Sequence, residues 1–221
     1  MEKRIILLNG QSIEYILERK NIKSLYMKIE KGQLVIKAPM IMPLSFIEKN
    51  IEKYQERLLE KLTLYQPYYD YKDQGFVLIF NEYYHIVLRD IGERKCSFHD
   101  HYLYVYHHDI EKTVEKFLKK LLLDYIEEKV IGYLVNDFDL DMPFIEVKKY
   151  KGRWGSCFYK DNKITFNLSL VYLEKDLIDY VIVHELSHFI EANHSQRFYQ
   201  EMRKRMPDYK DKQKRLKEKH I

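Results

Sequence analysis

The chain has 221 residues, of which 46% are hydrophobic and 33% are charged, and its formal net charge is +4. This apolar content is enough for a core and excludes a wholly disordered chain, while seven Gly and five Pro exclude a collagen-like or linker-rich organisation. No apolar run approaches the ~18 residues that a membrane helix needs, so no membrane association is expected. Two cysteines give no disulfide framework, which favours a cytoplasmic location.

The first half of the sequence is rich in strand-like segments. Ser45 and Glu48 have the spacing of a capping box, and apolar residues at helical spacing follow them, which predicts a helix over 45–66. We therefore expect residues 1–108 to form a mostly antiparallel, β-rich domain with one packed helix. Alternating patterns predict the strands of this domain at 4–8, 13–18, 24–29, 33–37 and between 76 and 106.

From Asp109 onward the pattern changes to helix, strands and helices. Asp109 is a suitable N-cap for a long helix that runs to about Val135 with an apolar stripe. Strands are predicted at 145–150 and 163–168, and a further helix over about 174–190. The fold class is therefore α+β, with residues 109–221 expected to form a second, compact domain of helix, strands and helices.

The C-terminal segment is strongly basic. Residues 203–219 contain nine Lys or Arg and three Asp or Glu. Such a segment is typical either of a solvated terminal helix or of a surface that binds nucleic acid. Both interpretations remain open from the sequence.

A metal-binding pattern lies inside the helix predicted at 174–190. The residues from His184 to His188 read H-E-L-S-H, and positions four apart share one face of a helix. His184 and His188 can therefore both bind one ion, while Glu185 can reach a water molecule on that ion. This pattern is typical of zinc sites in which the Glu acts as a general base, so we expect Zn²⁺ as the cofactor.

The third ligand that a catalytic zinc ion needs is predicted to be His194. In a continuous helix this residue would lie about 120° away from His188 around the axis, so the helix must end between them. Asn193 is the expected pivot because Asn tolerates the left-handed backbone that ends many helices. Ser195 is a suitable N-cap for a following helix.

A second informative stretch runs from Lys151 to Cys157 and reads K-G-R-W-G-S-C. It predicts a tight turn that leads into a strand. Arg153 is a candidate anion-binding residue and Trp154 a candidate substrate contact, whereas Cys157 is interpreted as a buried structural cysteine.

Together the two stretches resemble the YgjP-like metal-dependent hydrolases, which are zincin-like proteins related to the SprT-like zinc peptidases. The specific match covers about residues 145–200, including Asn167-Leu168 and Phe198. The resemblance implies a zincin-like domain, zinc held by His184, His188 and His194, and Glu185 as the base. It also implies a peptidase-type activity, although members of this family have been associated with nucleoside triphosphate pyrophosphohydrolysis.

Several functions remain open from the sequence. The leading hypothesis is a zinc peptidase, with the strand at 163–168 forming the edge that pairs with an extended peptide. One alternative is a pyrophosphohydrolase of UTP-type nucleotides, with Arg153 and the lysines of 148–151 binding phosphate. Another is a nucleic-acid-associated zinc protease that uses the basic C-terminal segment. The last alternative is a purely structural zinc site. The presence of Glu185 beside the histidines argues against this alternative, because a closed structural site would more often have a fourth protein ligand.

Overall fold

The computed structural model describes residues 1–30, 32–63 and 67–219, and it divides the chain into two compact units, Met1–Pro67 and Tyr68–Ile221. The mixture of helices and several sheets confirms the α+β fold class. None of the helices in the described part of the chain has the length and apolar character that a bilayer-spanning segment requires.

The N-terminal unit is a four-stranded sheet with two helices. Its strand order is β1-β2-β4-β3, and the β1–β2 and β3–β4 pairs are antiparallel whereas the β2–β4 pair is parallel, so the sheet is mostly antiparallel. The helix expected over 45–66 is interrupted, because the backbone of Tyr54 leaves the helical region at φ −109° and ψ 16°. Ser45 lies inside the first turn, Pro43 occupies the N-cap, and residues 64–66 lie outside the described part of the chain. The elements are β1 (Glu2–Leu8), β2 (Gln11–Lys20), β3 (Tyr26–Glu30), β4 (Gln33–Pro39), α1 (Leu44–Lys53) and α2 (Gln55–Thr63).

The C-terminal unit begins with a five-stranded sheet. Its order is β5-β6-β7-β9-β8, with β7 and β9 parallel. Buried residues of this sheet, such as Ile86 and Leu103, belong to the same hydrophobic core as Leu118 and Leu122 of the long helix that follows. The division of the chain therefore falls at Pro67 and not near residue 108, where the sequence pattern placed it. The strands are β5 (Tyr69–Asp70), β6 (Phe76–Ile79), β7 (Glu82–Leu88), β8 (Cys96–His99) and β9 (Tyr102–Val105).

The rest of the C-terminal unit combines the long helix, a three-stranded sheet and three shorter helices. Asp109 caps the long helix by accepting a hydrogen bond from the backbone N–H of Lys112, as predicted. The small sheet has the order β10-β12-β11. The strand predicted at 163–168, which was expected to form a free edge, is β12 and lies in the centre, whereas β11 is an edge strand. The elements are α3 (Ile110–Asn136), β10 (Phe144–Lys148), β11 (Gly155–Phe158), β12 (Lys163–Asn167), α4 (Lys175–Ser187), α5 (Gln196–Arg205) and α6 (Tyr209–Glu218).

The basic C-terminal segment is part of the folded unit. Tyr209 and Leu216 of α6 are buried in the core. Arg215 pairs with Asp176 in the first turn of α4, and Lys219 donates to Glu174 at 3.0 Å. Apolar burial and ion pairs thus hold α6 against α4.

Truncation of the chain after Met206 should therefore destabilise the protein. Loss of two buried side chains, each contributing about 1.5–3 kcal/mol, predicts a fall of about 3 kcal/mol or more in the free energy of unfolding. Urea denaturation measures this. The control replaces the exposed Lys210 and Lys214 with Gln, which should change stability by no more than about 0.5 kcal/mol. A truncated protein as stable as the full chain would show that α6 is not an integral part of the fold.

Candidate metal centre

The histidines of the H-E-x-x-H pattern lie at the C-terminal end of α4. His184 is in its last turn, and His188 is the C-cap residue directly after it. The other faces of α4 are apolar and buried, with Ile178, Ile182 and Leu186 in the core. The side that carries the histidines is therefore the one that can border a cleft.

After α4, the backbone hydrogen bonds change from the spacing of four residues in an α-helix to a spacing of three. The backbone N–H groups of Phe189 and Ile190 donate to carbonyls three residues earlier, both at 3.1 Å. Asn193 does not have a left-handed backbone, so the predicted pivot is wrong. Ser195 does cap α5, because its hydroxyl accepts a hydrogen bond from the backbone N–H of Phe198 at 3.3 Å. His194 is thus brought back toward α4 by the short segment between the two helices.

The three histidines converge as the spacing predicted. The Nε2 atoms of His184 and His194 are 3.0 Å apart, and the potential ligand atoms of His184, His188 and His194 all lie within 4.8 Å of one another. Tetrahedral zinc with bonds of about 2.1 Å separates its ligands by about 3.4 Å. The cluster therefore has nearly the size of a zinc coordination sphere, and imidazole nitrogen is a ligand type that suits zinc.

Neighbouring groups orient the histidine rings, and burial favours the neutral form of His184 and His188. The Nδ1 atom of His188 lies 3.2 Å from the backbone carbonyl oxygen of Glu191, an arrangement that leaves Nε2 free for a metal. The buried Phe198 ring packs against all three imidazoles, with ring centroids 4.7–5.0 Å apart. Burial, reinforced by His188 and His194, lowers the pKa of His184 to about 3, and burial also lowers that of His188. Neutral imidazoles are the form that binds metal.

Glu185 points from α4 toward the edge strand β11. Its side chain is buried, which raises its pKa to about 8, while a hydrogen bond from the backbone N–H of Cys157 acts in the opposite direction. The carboxyl group of Glu185 can lie this close to the β11 backbone because residue 155 is a glycine. A Cβ atom at Gly155 would lie 2.5 Å from Glu185 Oε1. Sequence reasoning assigned no role to this glycine, because its partner lies 30 positions away along the chain.

Cys157 borders the histidine cleft without joining the ligand cluster. Burial, and secondarily the charge of Glu185, raises the pKa of its thiol to about 12. The interpretation of Cys157 as a structural cysteine stays a prediction.

The turn before β11 is held by Asn167, whose role the sequence pattern did not reveal. This buried side chain donates to the carbonyl oxygens of Tyr150 at 3.1 Å and Arg153 at 2.8 Å. Arg153 is exposed, lies over the Tyr150 ring and donates to the hydroxyl of Ser156, so it does not line the histidine cleft. Trp154 is half-buried and lines a neighbouring cleft.

Two clefts meet at the candidate site. One, of about 340 Å³, contains the three histidines together with Ser156 and Tyr159. The other, of about 280 Å³, is lined by Trp154 and by side chains of α4 and α6, of which Tyr180, Val181 and Leu216 are apolar. Both clefts share Gly155, His184 and Glu185, so the carboxylate and the first histidine lie where they join.

Comparison with known proteins gives one extensive match. The family model of the YgjP-like metallopeptidase domain matches residues 23–219. No match was found among curated proteins.

Two solved structures are similar over part of the chain, and both are metallopeptidase zymogens. Abylysin of Pyrococcus abyssi is 23% identical, covering 44% of this chain and 90% of its own with a TM-score of 0.35. Jannalysin of Methanocaldococcus jannaschii is 24% identical, covering 44% of this chain and 94% of its own with a TM-score of 0.36. At this sequence identity and TM-score, the similarity supports no statement about the function of this chain.

The contact between Gly155 and Glu185 can be tested by adding one methyl group. Gly155→Ala should lower the free energy of unfolding by about 1–3 kcal/mol, because the new Cβ atom overlaps the carboxylate. Gly132→Ala is the matched control: no described atom lies within 4 Å of its Cβ position, and Ala favours the helix by up to about 1 kcal/mol. Urea denaturation compares the two, and equal stability of both variants would contradict the close approach.

Proposed function

The chain belongs to the YgjP-like family of metallopeptidase domains, and we propose that it is a zinc-dependent peptidase whose metal is held by His184, His188 and His194. One observation carries the proposal. Three imidazoles converge within 4.8 Å of one another in the cleft that also contains the Glu185 carboxylate. A ligand cluster and an adjacent base are the two parts that this type of hydrolysis requires.

Zinc bound to three imidazoles lowers the pKa of a water molecule to near 7 and polarises a carbonyl group. The role proposed for Glu185 is to accept a proton from the attacking water and to transfer it to the leaving amine. Its position suits this role, because the Cys157 N–H and the absence of a side chain at Gly155 fix the carboxylate beside the histidines without making it a ligand.

An extended peptide suits the cleft because β11 is an edge strand. In the antiparallel β11–β12 pair, Trp154 accepts from the N–H of Asn167, so the backbone groups of Gly155 and Cys157 face away from β12. The Cys157 N–H is used by Glu185, and the Gly155 carbonyl oxygen accepts a hydrogen bond from the Ser156 hydroxyl at 2.8 Å. The Gly155 N–H and the Cys157 carbonyl oxygen are the outward backbone groups proposed to pair with a substrate backbone.

Over the described part of the chain, the histidine cleft lacks the cations that a nucleoside triphosphate would need. Among the described residues, no Lys or Arg lines the histidine cleft. Lys148 is paired with Glu146 and Lys149 with Glu115, while Arg153 lies over the Tyr150 ring. Because phosphate binding requires several cations close to the reacting group, these contacts favour a peptide over a nucleotide.

Metal analysis tests the ligand assignment. The purified protein should contain about one zinc per chain, and His188→Ala should lose most of it. His99→Ala is the matched control, because this histidine is exposed and outside the cluster, so its removal should leave the zinc content unchanged. Full zinc content in the His188→Ala variant would show that the assignment is wrong.

A second experiment separates metal binding from proton transfer. Glu185→Gln should retain zinc and lose peptide hydrolysis by ~10² or more, as expected when a general base is removed. Glu128→Gln, an exposed position on α3, serves as the control and should retain both. If Glu185→Gln hydrolyses a confirmed peptide substrate at the normal rate, Glu185 is not the base.

A further inference from the structure

The two clefts adjoin at Gly155, His184 and Glu185 along α4 and β11, and we refer to them together as the groove. On α4 the lining residues recur at helical spacing from Tyr180 through His184 to His188, a distance of about 12 Å. On the strand side the lining runs from Trp154 to Tyr159, about 16 Å of extended chain. A bound peptide of about five extended residues would span the groove, with the reacting bond near His184 and Glu185.

The two ends of this groove differ in chemistry. The histidine end carries imidazoles and hydroxyls, whereas the other end has walls made by Trp154, Tyr180, Val181 and Leu216. Gln213 hydrogen-bonds the Tyr180 hydroxyl, so the phenol already has a polar partner. We refer to this end of about 280 Å³ as the apolar pocket. It lies below the ~300–1,000 Å³ of typical small-molecule sites and suits a single side chain.

The apolar pocket has a fixed wall on its α6 side. Arg215 pairs with Asp176 and Lys219 with Glu174, on either side of the pocket-lining residues Leu216 and Lys217. Because these pairs join α6 to the start of α4, the wall is present before any ligand binds, which lowers the entropic cost of binding.

We propose that the apolar pocket receives a substrate side chain, so that the enzyme prefers peptides with a large apolar residue such as Leu, Phe or Tyr next to the scissile bond. The inference rests on the proposed peptidase function. The charged groups that line the pocket are Glu185, which takes part in the proposed chemistry, and Lys217, which is exposed. An acidic substrate side chain would lose hydration against the apolar walls, and an ion pair with the exposed Lys217 would offset little of that loss, so the pocket discriminates against it.

The first test measures cleavage by the zinc-loaded protein. Quenched fluorescent peptides that differ only at the two positions flanking the scissile bond are compared. We expect kcat/KM to be tenfold or more higher for Leu, Phe or Tyr than for Gly or Asp at one of these positions, as burial of such a side chain predicts. Cleavage without this preference would overturn the inference and leave the peptidase proposal intact. No cleavage of any peptide would overturn both.

Two variants locate the preference in the apolar pocket. Val181→Phe fills the pocket, and Lys217→Trp narrows its mouth from an exposed position that tolerates substitution. Each should reduce the ratio of kcat/KM for the Leu, Phe or Tyr peptide to kcat/KM for the Gly peptide to about twofold or less. Lys214→Trp is the matched control, on the same helix but outside the pocket lining, and should keep the normal preference. Normal preference in both pocket variants would overturn the inference.

A binding measurement does not depend on turnover. Trp154 is the only tryptophan in the chain, so its fluorescence reports directly on the pocket. In the Glu185→Gln variant, a Phe-containing hexapeptide should shift or quench the Trp154 emission at concentrations at least tenfold lower than the same peptide with Asp in place of Phe. Equal responses to the two peptides would contradict the proposed pocket.

Discussion

The candidate site depends on one contact, in which the buried carboxylate of Glu185 lies against the backbone of β11. The carboxylate accepts a hydrogen bond from the Cys157 N–H and occupies the space that a side chain at Gly155 would fill. Burial of a carboxyl group is costly unless it is hydrogen-bonded, so this contact fixes how closely α4 and β11 can approach. The same approach places the histidines of α4 beside an edge strand, and it thereby creates the groove in which the proposed metal, base and peptide would meet.

The surrounding fold makes this arrangement rigid. Buried side chains anchor α4 on its other faces, Asn167 holds the turn that leads into β11, and Phe198 of α5 packs against all three imidazoles. Helix α6 adds the last wall through Leu216 and its ion pairs with α4. Part of the basic charge at the C-terminus therefore serves the fold. The proposed metal binding and the proposed recognition of an apolar side chain thus use one preformed scaffold, in which α4 and α6 contribute to both the core and the groove.

Most features that depend on local spacing were predictable from the sequence, although the cap expected at Ser45 and the pivot expected at Asn193 were wrong. The pattern from His184 to His194, the caps at Asp109 and Ser195 and the long helix α3 all follow from residues within one or two helical turns. Features that depend on distant partners were not. The sequence could not show that β12 is central, that Gly155 faces Glu185, or that the sheet before residue 108 shares its core with α3. Strand order and core membership are decided by contacts between distant segments, and periodicity does not record them.

The central claim is that three imidazoles and no thiolate hold the metal, although Cys157 borders the same cleft. X-ray absorption at the zinc edge of the purified, zinc-loaded protein tests this most directly. Our account predicts a first shell of nitrogen and oxygen at about 2.0–2.1 Å, with the outer-shell scattering of three imidazole rings. A sulfur ligand at about 2.3 Å, or a shell with fewer than three imidazoles, would contradict it.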